Sequence, residues 1–385
     1  MISYSRQIIE EDDIRSVIAT LQSDWLTQGP EVTEFEKELA QFCGAKFAVA
    51  VCNGTAALHL ACLTLDLGKE DMLWTSPNTF VASANCALYC GAKVDFVDID
   101  PKTYNLSVTE LRKRLINAAT CNQLPKILIP VHFSGAACDM HGISLLAKEY
   151  GVKIIEDASH ALGGTYRQKR IGSNEFADCT VMSFHPVKTI TTGEGGAVTT
   201  NDERIYQKLL LLRTHGITRE KALFSQNQEG DWYYEQQELG FNYRLSDIHA
   251  ALGRSQLRKT DRFVGQRRNL HRRYHERLKN LPLQLPFDSP NGESAHHLYA
   301  VLLQEAAHVK KRKEIFQELR KGGIGVNVHY IPVHLRPYYR KLGFREGNFP
   351  VAEDYYQRAL TLPLHGGMSI DNQDYIVNTL SKLLT

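Results

Sequence analysis

No stretch of this chain approaches the roughly 18 apolar residues that a membrane-spanning helix needs. Charge of one sign is also missing. Lys and Arg number 45 against 43 Asp and Glu, a net of +2, so no global field argues for nucleic acid or an anionic membrane. The eight cysteines, at 43, 52, 62, 86, 90, 121, 138 and 179, include no CxxC pair, and none follows Cys179. That spacing excludes a disulfide framework and a cysteine zinc site; no metal is expected, and reduced thiols in a cytoplasmic protein are. The opening MISYSRQIIEEDD lacks the apolar core of an export signal. Internal repeats and low-complexity linkers are absent. What is there is 385 residues, 43% apolar and 23% charged, enough for two domains and a substantial core.

Residues 10–22 read as a helix with Ile14, Val17, Ile18 and Leu21 on one face, broken by DWLTQGP at 24–30. A second helix carries Val32, Phe35, Leu39 and Phe42, with Gly44 as its cap. Strand–helix alternation follows. Strands are expected at 46–52, 72–75, 93–97, 126–131, 152–156, 179–184 and 196–200, and helices at 55–65, 80–89, 108–117, 140–150 and 203–212. Short apolar strands separated by helices predict a mostly parallel sheet covered on both faces. Such sheets bind ligands at the carboxyl ends of their strands.

Those ends carry most of the chemistry. After the first strand stands Asn53-Gly54-Thr55-Ala56-Ala57, a glycine turn into a helix start, suited to a phosphate or to a plain cap by Thr55. After the second, Phe80 either stacks on a planar ring or joins the core. After the fifth, Asp157 either pairs with a protonated ring nitrogen or caps a helix, with His160 three residues on. After the sixth, in DCTVMSFHPVKTITTGEGGAV (178–198), come Ser183, His185 and Lys188. Pro186 stops any helix there, and the glycines allow a sharp turn or close approach. Lys188 is the single amine on a loop between two strands, the position required of a lysine that forms an imine with a cofactor aldehyde and needs partial desolvation to do so. An imine lysine, a pyridinium acid, phosphate-binding hydroxyls at a helix start and an aromatic lid are the components of a pyridoxal phosphate site.

Arg254–Lys279 is strongly basic, but Leu257, Phe263, Leu270 and Tyr274 interrupt the charges at helical spacing, so a long solvated connecting helix is expected rather than a nucleic-acid helix. Strands at 297–303 and 326–330 and helices near 309–320 and 351–360 predict a small α+β domain. The expected division is a large domain over 1–250, with 1–13 as an N-terminal arm, and a helix plus small domain over 251–385.

LTQGP (26–30), NGTAAL (53–58), TFVASANC (79–86), EDASHALG (156–163), SFHPVKTITTGEGGAV (183–198), LRTHG (212–216), GFNYRLSDIHAALG (240–253) and VHY (328–330) together resemble the DegT/DnrJ/EryC1/StrS family of nucleotide-sugar aminotransferases, over nearly the whole chain. The resemblance implies the type I pyridoxal-phosphate aminotransferase fold, an α/β structure with a seven-stranded sheet. It implies that Lys188 holds the cofactor and moves the proton, Asp157 pairs with the pyridinium, and Thr55, Ala56 and Ser183 take the phosphate. Phe80 would stack on the ring and His160 lie beside it. A homodimer is implied, with Asn242 reaching the partner's cofactor phosphate. Tyr4 of the arm, Trp25, Leu26, Thr27, His185, Asn327, His329 and Tyr330 would line the sugar-nucleotide cleft. The amino donor would be L-glutamate and the acceptor a UDP-linked keto sugar; within the family the likeness is to members of pseudaminic acid synthesis, which implies transfer to C4. Family members that act as sugar dehydratases carry a histidine in place of the imine lysine. Rival readings are an aminotransferase for another UDP-, dTDP- or GDP-keto sugar, a cysteine desulfurase, which would need a reactive cysteine after Lys188, and a non-enzymatic cofactor-binding regulator.

Overall fold

A computed structural model describes residues 1–226 and 230–385. Seven strands form its central sheet: β1 (Phe47–Val51), β2 (Met72–Thr75), β3 (Lys93–Phe96), β4 (Ile127–Ile129), β5 (Lys153–Asp157), β6 (Cys179–Ser183) and β7 (Gly196–Thr200), in the order β1-β7-β6-β5-β4-β2-β3. β7 is antiparallel to both neighbours, and the remaining pairs are parallel. The reversal of β7 has a consequence for the site. The loop between β6 and β7 leaves and re-enters the sheet at the edge where the parallel strands end.

Both faces are covered, as the apolar strands require. The helices of this part are α1 (Glu11–Leu21), α2 (Pro30–Cys43), α3 (Gly54–Thr64), α4 (Ala82–Tyr89), α5 (Val108–Thr120), α6 (Met140–Tyr150), α7 (Glu203–Arg213), α8 (Asp247–Leu257) and α9 (Thr260–Leu278). Alternation along β1 divides the core: Val49 and Val51 join Leu58, Leu60, Ala84 and Cys86 of α3 and α4, whereas Ala48 and Ala50 join Phe35 and Leu39 of α2 and Leu257 of α8. Val49, Ile155 and Val181 are fully buried, each contributing about 1.5–3 kcal/mol of transfer energy. Farther along the sheet, α5 and α6 pack on Trp74, Leu128 and Ile154. Gly44 ends α2 at φ 75°, the left-handed cap its position predicts. The second part of the chain contains an antiparallel sheet of Leu283–Gln284, Tyr299–Leu303 and Ala359–Leu362. This sheet shares a core with Leu270 and Tyr274 of α9, the helix Arg312–Lys321 and the helix Ile370–Leu384. No helix among the described residues is long and apolar enough to cross a membrane.

Several expectations need correction. The basic run is two helices, α8 and α9, and it is not solvated throughout: Arg267, His271 and Tyr274 are buried. Charge counting misses this because a guanidinium can be buried if backbone carbonyls accept from it, and Arg267 donates to His297 O at 3.3 Å and Leu364 O at 2.9 Å. Residues 326–330 are not a strand. Asn327 makes one bridge to Thr361, but the Tyr330 N–H donates to Asn78 Oδ1 and the His329 carbonyl accepts from Tyr355 Oη, so side chains take what a strand partner would. Phe80 lies outside α4, which begins at Ala82.

Candidate active site

The turn after β1 is held by Asn53, not by Thr55. Its Oδ1 accepts the Ala56 N–H at 2.8 Å. Ala56 is thereby engaged, and the first-turn N–H groups of Gly54 and Thr55 have no acceptor among the described residues. The turn is wedged between two strand ends: a Cβ at Gly54 would lie 3.0 Å from the Ser183 Cβ, and a Cβ at Gly196 2.6 Å from the Asn53 backbone. The half-buried Ser183 hydroxyl therefore stands against the start of α3, and it makes no hydrogen bond of its own among the described residues. Free helix-start N–H groups beside a free hydroxyl form an anion cradle.

The Lys188 loop is stitched at its base. Phe184 N–H donates to Gly195 O and Thr192 N–H to Phe184 O, and the Thr191 hydroxyl also donates to Phe184 O. Gly193 takes φ 82°, which a side chain would oppose. At the tip, Lys188 N–H donates to His185 O at 2.8 Å. Two elements from far along the chain grip this tip: Ser5 of the arm donates to Val187 O at 2.7 Å, and Arg267 reaches Lys188 O at 3.5 Å. Burial pulls the Lys188 amine down from 10.5 to about 8, against the opposing pull of the Asp157 carboxylate. The residue is only partly buried by area, yet its amine is strongly desolvated.

Asp157 ends β5 at 5% exposure. Its carboxylate accepts from Ser83 Oγ at 2.7 Å and Ser159 N–H at 3.0 Å, and Ser83 in turn contacts Thr79 Oγ1 at 2.9 Å. No helix follows, so Asp157 is not a helix cap. Among the described residues it has no ion pair closer than 4 Å, only the longer-range attraction of Lys188. Burying a carboxylate costs on the order of several kcal/mol unless a cation compensates. A protonated ring nitrogen is a fitting cation.

His160 is buried, and its Nδ1 accepts from Ser134 N–H at 3.3 Å. The ring proton therefore resides on Nε2, which donates to Tyr330 Oη at 3.1 Å. Burial, then the Lys188 charge, holds His160 well below its usual pKa. Tyr330 is a neutral phenol, raised by burial and by Tyr4 and Asp157 nearby. Its oxygen accepts from His160, which leaves its own proton to donate. Tyr4 packs 5.3 Å from His329, whose Nδ1 lies 3.0 Å from Thr361 Oγ1 and whose pKa burial lowers to about 4. Phe80 is 59% exposed, 6.5 Å from Tyr330, and is not a core residue.

The structure thus brings Thr55, Ala56, Ser183, Lys188, Asp157, His160, Phe80, Tyr330, His329 and Tyr4 to the end of one sheet. Others lie apart. His185 is exposed, its Nδ1 turned to Val187 N–H. Asn327 Oδ1 accepts the next N–H, from Val328. Trp25, Leu26 and Thr27 dock on the start of α8: Leu26 O accepts Asp247 N–H, Thr27 bridges Ser246, and Asp247 accepts from Gly29 and Glu31 N–H. Asn242 is exposed in a segment whose neighbours bind the end of β1, through Cys52 N–H to Tyr243 O and a Val51–Arg244 bridge. Reading the sequence missed Ser83, Ser5, Ser134 and Arg267. Ser83 had a signal, one helical turn after Thr79 and behind Phe80. Arg267 had none, because it stands in a run of like residues.

The profile of the DegT/DnrJ/EryC1/StrS aminotransferase family matches residues 7–381. The chain is 39% identical, over all of its length and 98% of the relative's, to the UDP-4-amino-4,6-dideoxy-N-acetyl-beta-L-altrosamine transaminase of Campylobacter jejuni. It is also 39% identical, over all of its length and 97% of the relative's, to the spore coat polysaccharide biosynthesis protein SpsC of Bacillus subtilis. Among solved structures, Helicobacter pylori PseC, an aminotransferase of pseudaminic acid biosynthesis, superposes with a TM-score of 0.90 at 30% identity, covering 100% of this chain and 99% of that one. The PLP form of Spr1654 from Streptococcus pneumoniae gives 0.90 at 30% identity, covering 99% and 98%.

Proposed function

Because this chain belongs to the DegT/DnrJ/EryC1/StrS aminotransferase family and is a pyridoxal-phosphate-dependent nucleotide-sugar transaminase, we propose that it moves the amino group of L-glutamate to C4 of UDP-2-acetamido-2,6-dideoxy-beta-L-arabino-hex-4-ulose, in pseudaminic acid biosynthesis. The Campylobacter relatives, at 39% and 37% identity, and the PseC likeness support the substrate. The observation that carries the chemistry is the buried Asp157 carboxylate, held by a hydroxyl and an amide and without an ion pair among the described residues, near a lysine whose amine burial lowers to about 8. An acceptor sugar of another kind is the second reading, favoured by the equal identity to the spore coat protein.

Pyridoxal phosphate, when bound, supplies an electron sink that lets an amino group pass between two carbon skeletons. The protein's own part is assigned as follows. Lys188 Nζ, which burial lowers to about 8, would hold the group covalently and, when free of it, would take and return the proton at the reacting carbon. Asp157 would keep a proton on the ring nitrogen. Gly54 and Thr55 N–H groups and the Ser183 hydroxyl take the phosphate, with Ala56 joining where Asn53 yields it. Phe80 would cover the ring. Tyr330, oriented by His160, donates a proton or hydrogen bond to oxygen in the cleft. Tyr4 and His329 border the sugar side, with His185 at the loop tip.

The panel that tests the substrate is UDP-, dTDP- and GDP-linked 4-keto sugars, each with L-glutamate. The expected product is a C4 amine on the UDP sugar, with one 2-oxoglutarate released per turnover. Comparable or faster amination of a dTDP or GDP sugar, or an amine at C3, would overturn the assignment.

We further propose a homodimeric active unit in which Asn242 acts across the interface. Support comes from its exposed side chain, which makes no hydrogen bond among the described residues, and from Trp25 and Leu26, 56% and 46% exposed, docked on the same stretch through Ser246 and Asp247. Mixing inactive Asn242→Ala and Lys188→Ala subunits should then restore activity, because one site of each heterodimer keeps its own lysine and the partner's asparagine. Half the native rate per heterodimer is the ceiling. If tagged pull-down proves exchange and no activity returns, Asn242 serves its own subunit.

A further inference from the structure

We propose a divalent transition-metal site, separate from the cofactor site, built from His271, Asp288 and His296. Their ligand atoms all lie within 4.8 Å of one another. They come from three places: His271 from the middle of α9, and Asp288 and His296 from the two ends of the segment before the strand Tyr299–Leu303. Sequence spacing gave no sign of this group.

Both imidazoles are buried, at 3% and 8% exposure, and neither ring makes a hydrogen bond among the described residues. Their ring nitrogens are not sealed off; without a protein partner, they are left to whatever enters the cavity that both residues line. His275, tilted against His271 at 4.4 Å, shows what a satisfied ring here looks like: its Nε2 reaches Pro286 O at 3.0 Å and its Nδ1 Tyr299 Oη at 3.1 Å. The rings of His271 and His296 are 4.1 Å apart and border an open cavity of 220 Å³ with Asp288. His271 Nε2 stands 3.7 Å from Asp288 Oδ1, too long for a hydrogen bond. Two ligands of one tetrahedral zinc ion stand about 3.4 Å apart, from bonds of about 2.0–2.1 Å. The closure required is therefore small, and Asp288 is exposed and can supply it.

Two imidazoles and one carboxylate, with a fourth position open to the cavity, are a ligand set for zinc-like ions. They do not suit calcium or magnesium, which prefer oxygen. Arg268 and Arg272 also border the cavity and weaken cation binding. Arg268 is tied to Glu293 at 2.6 Å, whose carboxylate offsets it, and Arg272 to Asn269 at 2.6 Å. The role of the site is mechanical. Next to His296, His297 N–H donates to Ser134 O, and its ring lies 4.3 Å from His160. An ion here pins to α9 the segment that carries His297 under the active site.

The test is titration of chelator-treated holoenzyme with Zn2+ alone, followed by calorimetry, and with Co2+, followed by the absorbance of tetrahedral cobalt. One ion per chain is expected, raising the melting temperature. Asp288→Asn, at an exposed position that leaves the fold unstrained, should weaken binding at least tenfold. His296→Gln should weaken it at least a hundredfold and remove the cobalt bands. Failure of the native protein to bind Zn2+, or less than a tenfold change in both variants, would overturn the proposal.

Discussion

Lys188→Ala is expected to lower turnover at least about 10⁴-fold, or about 5.5 kcal/mol of barrier. The proposed role gives one amine two tasks, holding the cofactor and carrying the proton, and the 178–198 stretch contains no second lysine to replace it. The visible absorbance of lysine-bound cofactor should vanish with it. The fold should survive, because the change removes a desolvated amine among the neutral rings of His160, His297 and His329. A pH study separates this reading from an ordinary lysine. Uptake of pyridoxal phosphate by the native apoprotein should rise through a limb near pH 8, where Lys188 loses its proton, and not near 10.4. Its stability carries the same mark. A lysine with a folded pKa near 8 and an unfolded value near 10.5 binds fewer protons folded than unfolded between these limits. Apoprotein stability gains across that window as pH rises, and Lys188→Ala should lose the gain. Turnover by the variant at a comparable rate would refute the assignment.

Asp157→Asn is expected to cost at least about a hundredfold in turnover, about 2.7 kcal/mol. A neutral amide can still accept from Ser83 or Ser159, so the fold and the cofactor content should hold. What it cannot do is hold a proton on the ring nitrogen as a carboxylate does. Near-normal rates with full cofactor occupancy would reduce Asp157 to a residue that orders the Ser159 amide.

Much of this protein follows from its sequence because much of it is local. The alternation of short apolar strands with amphipathic helices needs only neighbours a few residues apart, and α6 runs over Met140–Tyr150 as the spacing of Ile143, Leu146 and Ala147 predicts. The same holds for Lys188: a lone amine after a proline, between two strands, is visible in one line of text. The strand-end positions of Asp157, Ser183 and Phe80 were legible for that reason too. Their state was not. Whether Phe80 is core or open depends on what fails to cover it, and the partner that holds the Asp157 carboxylate is Ser83, which lies 74 residues away. Asn53 displaces Thr55 as the cap through its own Oδ1. Val326–Tyr330 reads as a strand until Asn78 and Tyr355 claim its backbone groups. Arg267 reads as solvated until carbonyls from three distant segments surround it, and burial then lowers it to about 10. In each case the sequence sets which polar groups the chain carries. Which of them meet inside the fold, with water excluded, is decided by contacts between segments that periodicity cannot relate, and there a hydrogen bond made or missing is worth more than any local preference.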